Sequence, residues 1–425
     1  MSREMKDSGI EWIGQLPKTW DTAAIKKSFK IIAGATPAST TEGFWDGDIP
    51  WVTPADYKTK DHYVSGGRRN ITRAGYDSCG TTLIPIGSIL FSKRAPVGTV
   101  CINMVPMCTN QGCLSCVPQK EVNSNYFYYT MSIYTEQFEL VSAGTTFKEI
   151  SADSFANFVL PLPPYEQQCK ISGFLDSQCA EIDSVLTRTR ASIEEYKKLK
   201  QAVITQTVTK GIRGKRLMKD SRSVWFGTIP QDWEMNKMKY LFQIKKRIAG
   251  EEGHTVLSIT QRGIKPKDIS KNEGQLAESY SNYQIVHPGD FAMNHMDLLT
   301  GWVDISQYDG VTSPDYRVFV LTDTVNNNPH YYLYMMQMCY SNRIFYGLGQ
   351  GVSGLGRWRL QADKFLNFSV AVPPVDEQKE IADYLDAKCA EIDKLIAKKE
   401  QYLVELENYK KSLIYEYVTG KREVI

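Results

Sequence analysis

No charge of one sign dominates this chain: 50 Lys and Arg stand against 48 Asp and Glu over 425 residues, a formal charge of +2. A uniformly basic surface that grips polyanions is therefore excluded, and any such site must come from segregated charge. No apolar run approaches the roughly 18 residues of a membrane span, and the opening Met1-Ser-Arg-Glu-Met-Lys-Asp7 leads into no apolar signal segment. A cytoplasmic protein is expected.

Metal and disulfide patterns are scarce as well. The nine cysteines are an odd number, which fits reduced thiols better than a disulfide framework. Cys101, Cys108, Cys113 and Cys116 cluster, but with a single CxxC and no nearby histidine they read as small hydrophobes in a strand-rich segment. The five histidines form neither HxxxH nor HxH, so no metal site is expected.

Enzyme motifs are missing too. The phosphate-cradling GxxxxGK[ST] does not occur. Leu162-Pro163-Pro164-Tyr165 approaches the Asn/Asp-Pro-Pro-Tyr of amino-group DNA methyltransferases, yet leucine cannot accept from a target amino group, and Val372-Pro-Pro-Val375 loses the tyrosine. Pro314-Asp315 lacks the Asp/Glu-x-Lys that a nuclease needs. No catalytic residue is expected.

What the chain does contain is its own copy. Asp7-Ser8, Trp12, Gly14, Pro17 and Trp20 return as Asp220-Ser221, Trp225, Gly227, Pro230 and Trp233, at a constant offset of 213. Pro163-Pro164, Gln168, Ile171, Leu175-Asp176 and Cys179-Ala-Glu-Ile-Asp183 recur 210 residues later as Pro373-Pro374, Gln378, Ile381, Leu385-Asp386 and Cys389-Ala-Glu-Ile-Asp393. A tandem duplication follows, each half a β-rich unit and then a helix.

Pro-Pro suits the approach to a helix but not its interior, and about 45 Pro-free residues follow in each copy. Heptad seams predict the packing faces. In the second copy they are Ile381, Lys388, Leu395, Tyr402, Tyr409 and Leu385, Ile392, Lys399, Leu406, Leu413. In the first they are Ile171, Gln178, Val185, Ser192, Leu199 and Leu175, Ile182, Thr189, Tyr196, Val203. A coiled-coil pair is expected, and the order of the repeat makes it antiparallel and returns the C-terminus to residues 1–20. Between the helices, short strands bounded by Gly and Pro predict a twisted sheet or partly closed barrel, with helices at 124–139 and 329–346. The fold class is thus α+β: two β-rich mixed domains joined by two long helices in an antiparallel coiled coil, with pseudo-two-fold symmetry. The two β-rich interiors are equal in size and alike at their edges but differ inside, as one scaffold carrying two specificities would.

Asp7-Ser-Gly-x-Glu-Trp12-x-Gly-x-x-Pro17-x-x-Trp20, Gly34-Ala-Thr-Pro37, Phe44-Trp-Asp-Gly-Asp-Ile-Pro-Trp51 and the twice-used Pro-Pro-x-x-x-Gln give the chain, over essentially its whole length, the look of a specificity subunit of a type I restriction-modification system. That resemblance implies target recognition domains at 1–162 and 213–372, each reading one part of a split double-stranded DNA site, and spacer helices at 163–212 and 373–425 that set the gap. It implies a non-catalytic chain that directs adenine methylation and restriction by its partners: two modification subunits docked on the helices, and restriction subunits. S-adenosylmethionine, ATP and Mg belong to those partners, none to this chain. The duplication independently gives two similar surfaces for two identical partners.

Both recognition domains are nearly neutral, with 12 basic and 12 acidic residues over 21–160 and 14 and 13 over 234–370. Residues 196–222 instead hold nine basic side chains against Asp220 alone, which makes this run either a solvated linker or a phosphate contact. Base readout needs donors and acceptors presented from loops into the major groove. The candidates are Thr36, Arg68, Arg69, Lys93, Arg94 and Lys148 in the first domain. In the second they are Lys246, Arg247, Arg262, Lys265, Asn294, His295, Arg317, Arg357 and Arg359, the last two ending a glycine-rich loop. Two rival functions are a coiled-coil scaffold without a DNA role, favoured by the neutral domains, and a self-sufficient fused restriction enzyme, disfavoured by the missing motifs.

Overall fold

The computed structural model describes residues 3–58, 61–94, 96–142, 148–269, 277–351 and 358–424. The chain forms two compact units, Met1–Thr189 with Gln401–Ile425 and Arg190–Glu400. Each unit therefore takes a stretch of both long helices.

In the first unit the strands of the two larger sheets are β1 (Phe29–Ala33), β2 (Trp45–Val52), β3 (Tyr63–Val64), β4 (Arg69–Ile71), β5 (Ile89–Ser92), β6 (Val100–Asn103), β7 (Cys108–Thr109) and β8 (Cys113–Pro118). They make a five-stranded sheet in the order β1-β8-β5-β6-β3 and a three-stranded sheet β7-β2-β4. Helix α1 (Ser124–Ile133) lies between this sheet and the first long helix, α2 (Tyr165–Lys210). In the second unit β9 (Phe242–Lys245), β10 (Leu257–Thr260), β11 (Gly263–Pro266), β12 (Gln284–Val286), β13 (Phe291–Met293), β14 (Val303–Ile305), β15 (Gly310–Thr312) and β16 (Arg317–Leu321) precede α3 (Pro329–Ser341) and the second long helix, α4 (Val375–Val418). The main sheet runs β9-β16-β13-β14, with β10-β11 and β12-β15 as separate pairs. The order β1-β8-β5-β6 thus repeats as β9-β16-β13-β14, antiparallel throughout. Both sheets are open, so the partly closed barrel is corrected: β1 and β3 are free edges in one, β9 and β14 in the other.

The shared edges of the repeat tie each sheet to its helix. Asn123 N donates to Gln168 Oε1 at 2.9 Å, and Asn328 N to Gln378 Oε1 at 2.8 Å. Gln168 and Gln378 each donate to the first proline carbonyl of their Pro-Pro at 2.9 Å. Buried Tyr126 and Tyr331 donate to Val418 O and Ala371 O, both at 2.8 Å. Gly211 (φ +74°) and Gly420 (φ +68°) follow the two long helices in the left-handed conformation that ends a helix. A Cβ on Gly420 would come within 2.5 Å of Pro17 Cγ, so the C-terminus does return to the start of the chain.

Within each unit the helices run antiparallel. In the first, Phe174 packs on Tyr417 at 4.5 Å and Asp183 pairs with Lys410 at 2.6 Å. In the second, Tyr196 meets Lys399 and Lys200 pairs with Asp393 at 2.6 Å. The two ion pairs are equivalent under the 210-residue offset. One seam in each copy lies where the heptads put it, through Leu175, Ile182, Thr189 and Tyr196, and through Leu385, Ile392, Lys399, Leu406 and Leu413. The other is corrected by one position. It runs through Cys179, Leu186, Ile193 and Lys200, and through Cys389, Ile396, Leu403, Lys410 and Tyr417, whereas Leu199, Leu395, Tyr402 and Tyr409 are exposed. Lysine serves inside a seam because its stem covers apolar surface while the ammonium reaches an aspartate at the edge.

Seven of the nine free cysteines are buried, including all four of the 101–116 cluster. Burial pushes the Cys108 and Cys113 thiols up to about 11 and about 12. Among the described residues no group of three or more His, Cys, Asp and Glu could hold a metal. Only half-buried Cys79 and Cys169 should react quickly with a neutral thiol reagent on the native chain, with the remaining seven joining after denaturation. Fast native labelling of Cys113 or Cys116 would contradict this packing.

Candidate nucleic-acid interface

Loops of the first unit converge at one end of its five-stranded sheet. Beyond β1, Ala35 N bonds Thr109 O at 2.9 Å, and the Thr36 hydroxyl bonds the Gln111 side chain in the β7–β8 turn. Asn110 shapes that turn by accepting from Gly112 N at 3.0 Å. Gly112 O accepts from Lys93 N just past β5, and Lys93 O accepts from Ile150 N, each at 3.0 Å. This ladder puts Thr36, Gln111, Lys93, Arg94, Lys148 and Glu149 on one surface. Glu149 accepts from Lys93 Nζ and Arg94 Nε, both at 2.9 Å, and these two cations hold its carboxyl below the usual range. Lys148 stands 3.7 Å from Glu139.

Arg68, just before β4, flanks this surface, donating to Ala55 O on the turn that follows β2 at 2.8 Å with its side chain 75% exposed. Arg69, the next residue, points elsewhere: it stacks 4.1 Å over Trp45 and pairs with Asp46 at 3.6 Å. Sequence reasoning missed Gln111 and Glu149. The Asn110-Gln111-Gly112 turn signal between strands was available for the first. An acid attracts no notice in a search for polyanion contacts.

The second unit places different residues at the same end of the same sheet. Asn294 and His295 follow β13, Lys246 and Arg247 follow β9, and Leu360 N bonds His295 O at 3.0 Å, which brings Arg359 alongside. A cavity of about 420 Å³ opens beside Asn294, lined by Lys267, Tyr280, Tyr283, Asp315 and Tyr316. Tyrosine faces suit stacking on a base, and an amide suits a base edge. Burial, with Arg317 and Arg359 close by, brings the His295 imidazole down to about 3, so it is neutral in ordinary buffers.

Besides Arg69, four predicted readers of the second unit are turned to other tasks or places: Arg317, Arg262, Lys265 and Arg247, the last of which follows β9 beside Lys246 but is held by the scaffold. Arg317 is only 5% exposed; it donates to Leu360 O at 2.8 Å and lies 4.9 Å over Phe365. Its guanidinium, brought down to about 10 by burial, supports the Arg359 segment from the interior and cannot enter a groove. Arg247 is bound to the buried Asp290 carboxylate, again a scaffold contact. Arg262 lies at the tip of the β10–β11 hairpin and lines a cavity of about 980 Å³ with Lys197, Lys200, Asp386 and Asp393 of the helices. Lys265 is exposed on β11 of that hairpin, and Lys246 is exposed beyond β9. Arg357 lies outside the described residues.

The basic run at 196–222 is largely tied into the protein. Lys200 pairs with Asp393 and Lys197 with Glu194; Arg213 holds Asp376 and Glu380, and Arg216 holds Glu377. Among the described residues, Lys198, Lys215, Lys219 and Arg222 have no acidic partner.

The family described as type I restriction modification DNA specificity domain matches the chain twice, over residues 17–195 and 230–406. Among curated proteins, the type I restriction enzyme MjaIX specificity subunit of Methanocaldococcus jannaschii is 38% identical over 169 residues, 38% of each chain. The MjaVIII specificity subunit of the same organism is 22% identical over 96% of this chain and 94% of its own. The chain thus spans well under half of the first relative and nearly all of the second. Among solved structures, a chain from work on complex assembly and conformational transition of the type I R-M system aligns over 96% of this chain and 99% of its own, with a TM-score of 0.71 at 13% identity. The HsdS subunit from Thermoanaerobacter tengcongensis aligns over 96% and 98%, with a TM-score of 0.52 at 13% identity. At such identities these two likenesses show the fold.

Proposed function

The chain belongs to the type I restriction modification DNA specificity family, and from that premise we propose that its two units each read one part of a split double-stranded DNA site. The observation that carries this is the repeated sheet, β1-β8-β5-β6 and β9-β16-β13-β14, presenting two different loop sets at the same end. A shared scaffold fixes where a loop sits, and its side chains then decide which base edges it accepts. Thr36, Arg68, Lys93, Arg94 and Lys148 face the first part, and Lys246, Asn294, His295 and Arg359 the second. The spacer helices at 163–212 and 373–425 set the gap between them.

The chain selects and its partners react. Adenine methylation comes from modification subunits carrying S-adenosylmethionine, and cleavage from restriction subunits using ATP and Mg. Two modification subunits dock on the helices, one per unit. Supporting this, α4 keeps apolar side chains at heptad spacing in solvent, Leu395 (36% exposed) in one unit and Tyr402 and Tyr409 (45% and 52%) in the other. Such a row is what an added helix packs against. No helix among the described residues is long and apolar enough to cross a membrane, and the cytoplasm, where the chromosome lies, is the proposed location.

Near-neutral loop surfaces predict weak DNA binding by the chain alone, with affinity shared by the complex. The deciding experiment sequences the methylome of a host expressing this chain with its modification subunits. Adenine methylation in a split motif with one fixed gap is expected; methylation at an uninterrupted motif, or none from an assembled complex, overturns the reading.

A further inference from the structure

Glu149 and Arg359 occupy the same place in the two copies. They are 210 residues apart, the offset of the helical repeat, and the residue after each donates its N–H at 3.0 Å to the loop leaving the central strand: Ile150 to Lys93 O, Leu360 to His295 O. Each also takes part in an isolated bridge, Glu149 with Arg94 on the loop that leaves β5 and Arg359 with Gln350 nine residues before it. One position on one scaffold thus carries a carboxylate in the first unit and a guanidinium in the second.

Their surroundings fit them for different tasks. Glu149 is clamped by Lys93 and Arg94 with its side chain 37% exposed, so its oxygens are held at the surface as fixed acceptors. A carboxylate repels phosphate and has nothing to offer the DNA backbone. Arg359 is exposed, with no side-chain partner among the described residues, beside a histidine held neutral. Its donors are available to an incoming acceptor.

Resting on the reading of the chain as a DNA specificity subunit, we infer that position 149/359 is a specificity-determining position for both parts of the site. Glu149 accepts from the N4 amino group of a cytosine, and Arg359 donates to O6 and N7 of a guanine. Cytosine is favoured over adenine because N7 beside the adenine amino group is an acceptor and repels a carboxylate. Lys93 and Arg94 are positioning residues for Glu149 as well as phosphate-facing cations.

The test uses the full complex with its modification subunits and compares the native chain with Glu149→Gln, Glu149→Asp and Arg359→Gln, reading the methylome and the binding of duplexes carrying each of the four bases at the affected pair. Glu149→Gln should cut discrimination at one cytosine-containing pair by roughly tenfold to a hundredfold, leaving the gap and the other part of the motif unchanged. Glu149→Asp keeps the acceptor and should retain the cytosine preference. Arg359→Gln should relax one guanine in the other part only. An unchanged motif in Glu149→Gln, a loss equal for all four bases, or relaxation spread over both parts overturns the inference. A native complex that methylates no split motif overturns the functional reading instead, so the two failures are distinguishable.

Discussion

Replacing Glu377 by alanine should destabilise the second unit by about 3–5 kcal/mol. Its carboxylate is fully buried, receiving Arg216 at 2.9 and 2.5 Å and the Trp233 indole N–H at 3.0 Å. Alanine leaves an 83% covered guanidinium with one remaining carboxylate, Asp232 at 3.6 Å, and the Lys210 carbonyl at 3.1 Å, and orphans a buried indole donor. The duplication supplies the internal control. In the first unit the same constellation is Arg3, Gln167 and Trp20, with the neutral Gln167 amide oxygen accepting from both at 2.6 Å. Gln167→Ala removes hydrogen bonds without stranding a buried ion pair and should cost about 1–2 kcal/mol. Glu377→Gln, which recreates the first unit's chemistry, should fall between. Denaturant unfolding of the full chain, with hydrogen exchange resolving the segments around Trp20 and Trp233, measures all three. Equal losses in the two units would show that the charge at Glu377 contributes nothing.

That contrast also shows how far a sequence reading reaches. Trp20 and Trp233, the Pro-Pro pairs and the glutamines after them were legible because each performs a fixed local task twice, and two occurrences at one offset identify a scaffold. The phase of the second helical seam was not legible. The helices carry two apolar rows, and composition favoured Leu395, Tyr402 and Tyr409 over a row containing Cys389 and Lys410. Packing chose the latter, since a lysine stem is apolar and Asp183 waits for its charge. Arg317 and Arg247 misled for the opposite reason. In a near-neutral domain an arginine at a strand end looks like a reader, and only the folded chain places it against Leu360 O or Asp290. Glu149 escaped notice because its partners, Lys93 and Arg94, lie 55 residues or more away in sequence.

Lowering the pH should weaken the second unit through His295. The folded imidazole is brought down to about 3 by burial and by Arg317 and Arg359, while an unfolded histidine titrates near 6.5. Between these values the unfolded chain binds a proton that the folded chain refuses. The stabilising contribution is therefore complete above about pH 6.5 and is lost as pH falls, at up to about 1.4 kcal/mol per pH unit. From about pH 6.5 to about 4.5 the second unit should lose about 2–3 kcal/mol from this group. His295→Gln should flatten that slope while other titrating groups keep theirs. The imidazole proton resonances of His295 should stay unshifted across the same window, and a titration midpoint near 6 would refute the assignment. The same residue bears on recognition. A protonated His295 would set a third cation against Arg317 and Arg359 at the reading end of the sheet and attract phosphate regardless of sequence. Held neutral, it adds no charge beside Arg359, so on the proposed function the burial that makes the unit acid-sensitive also limits attraction of phosphate regardless of sequence.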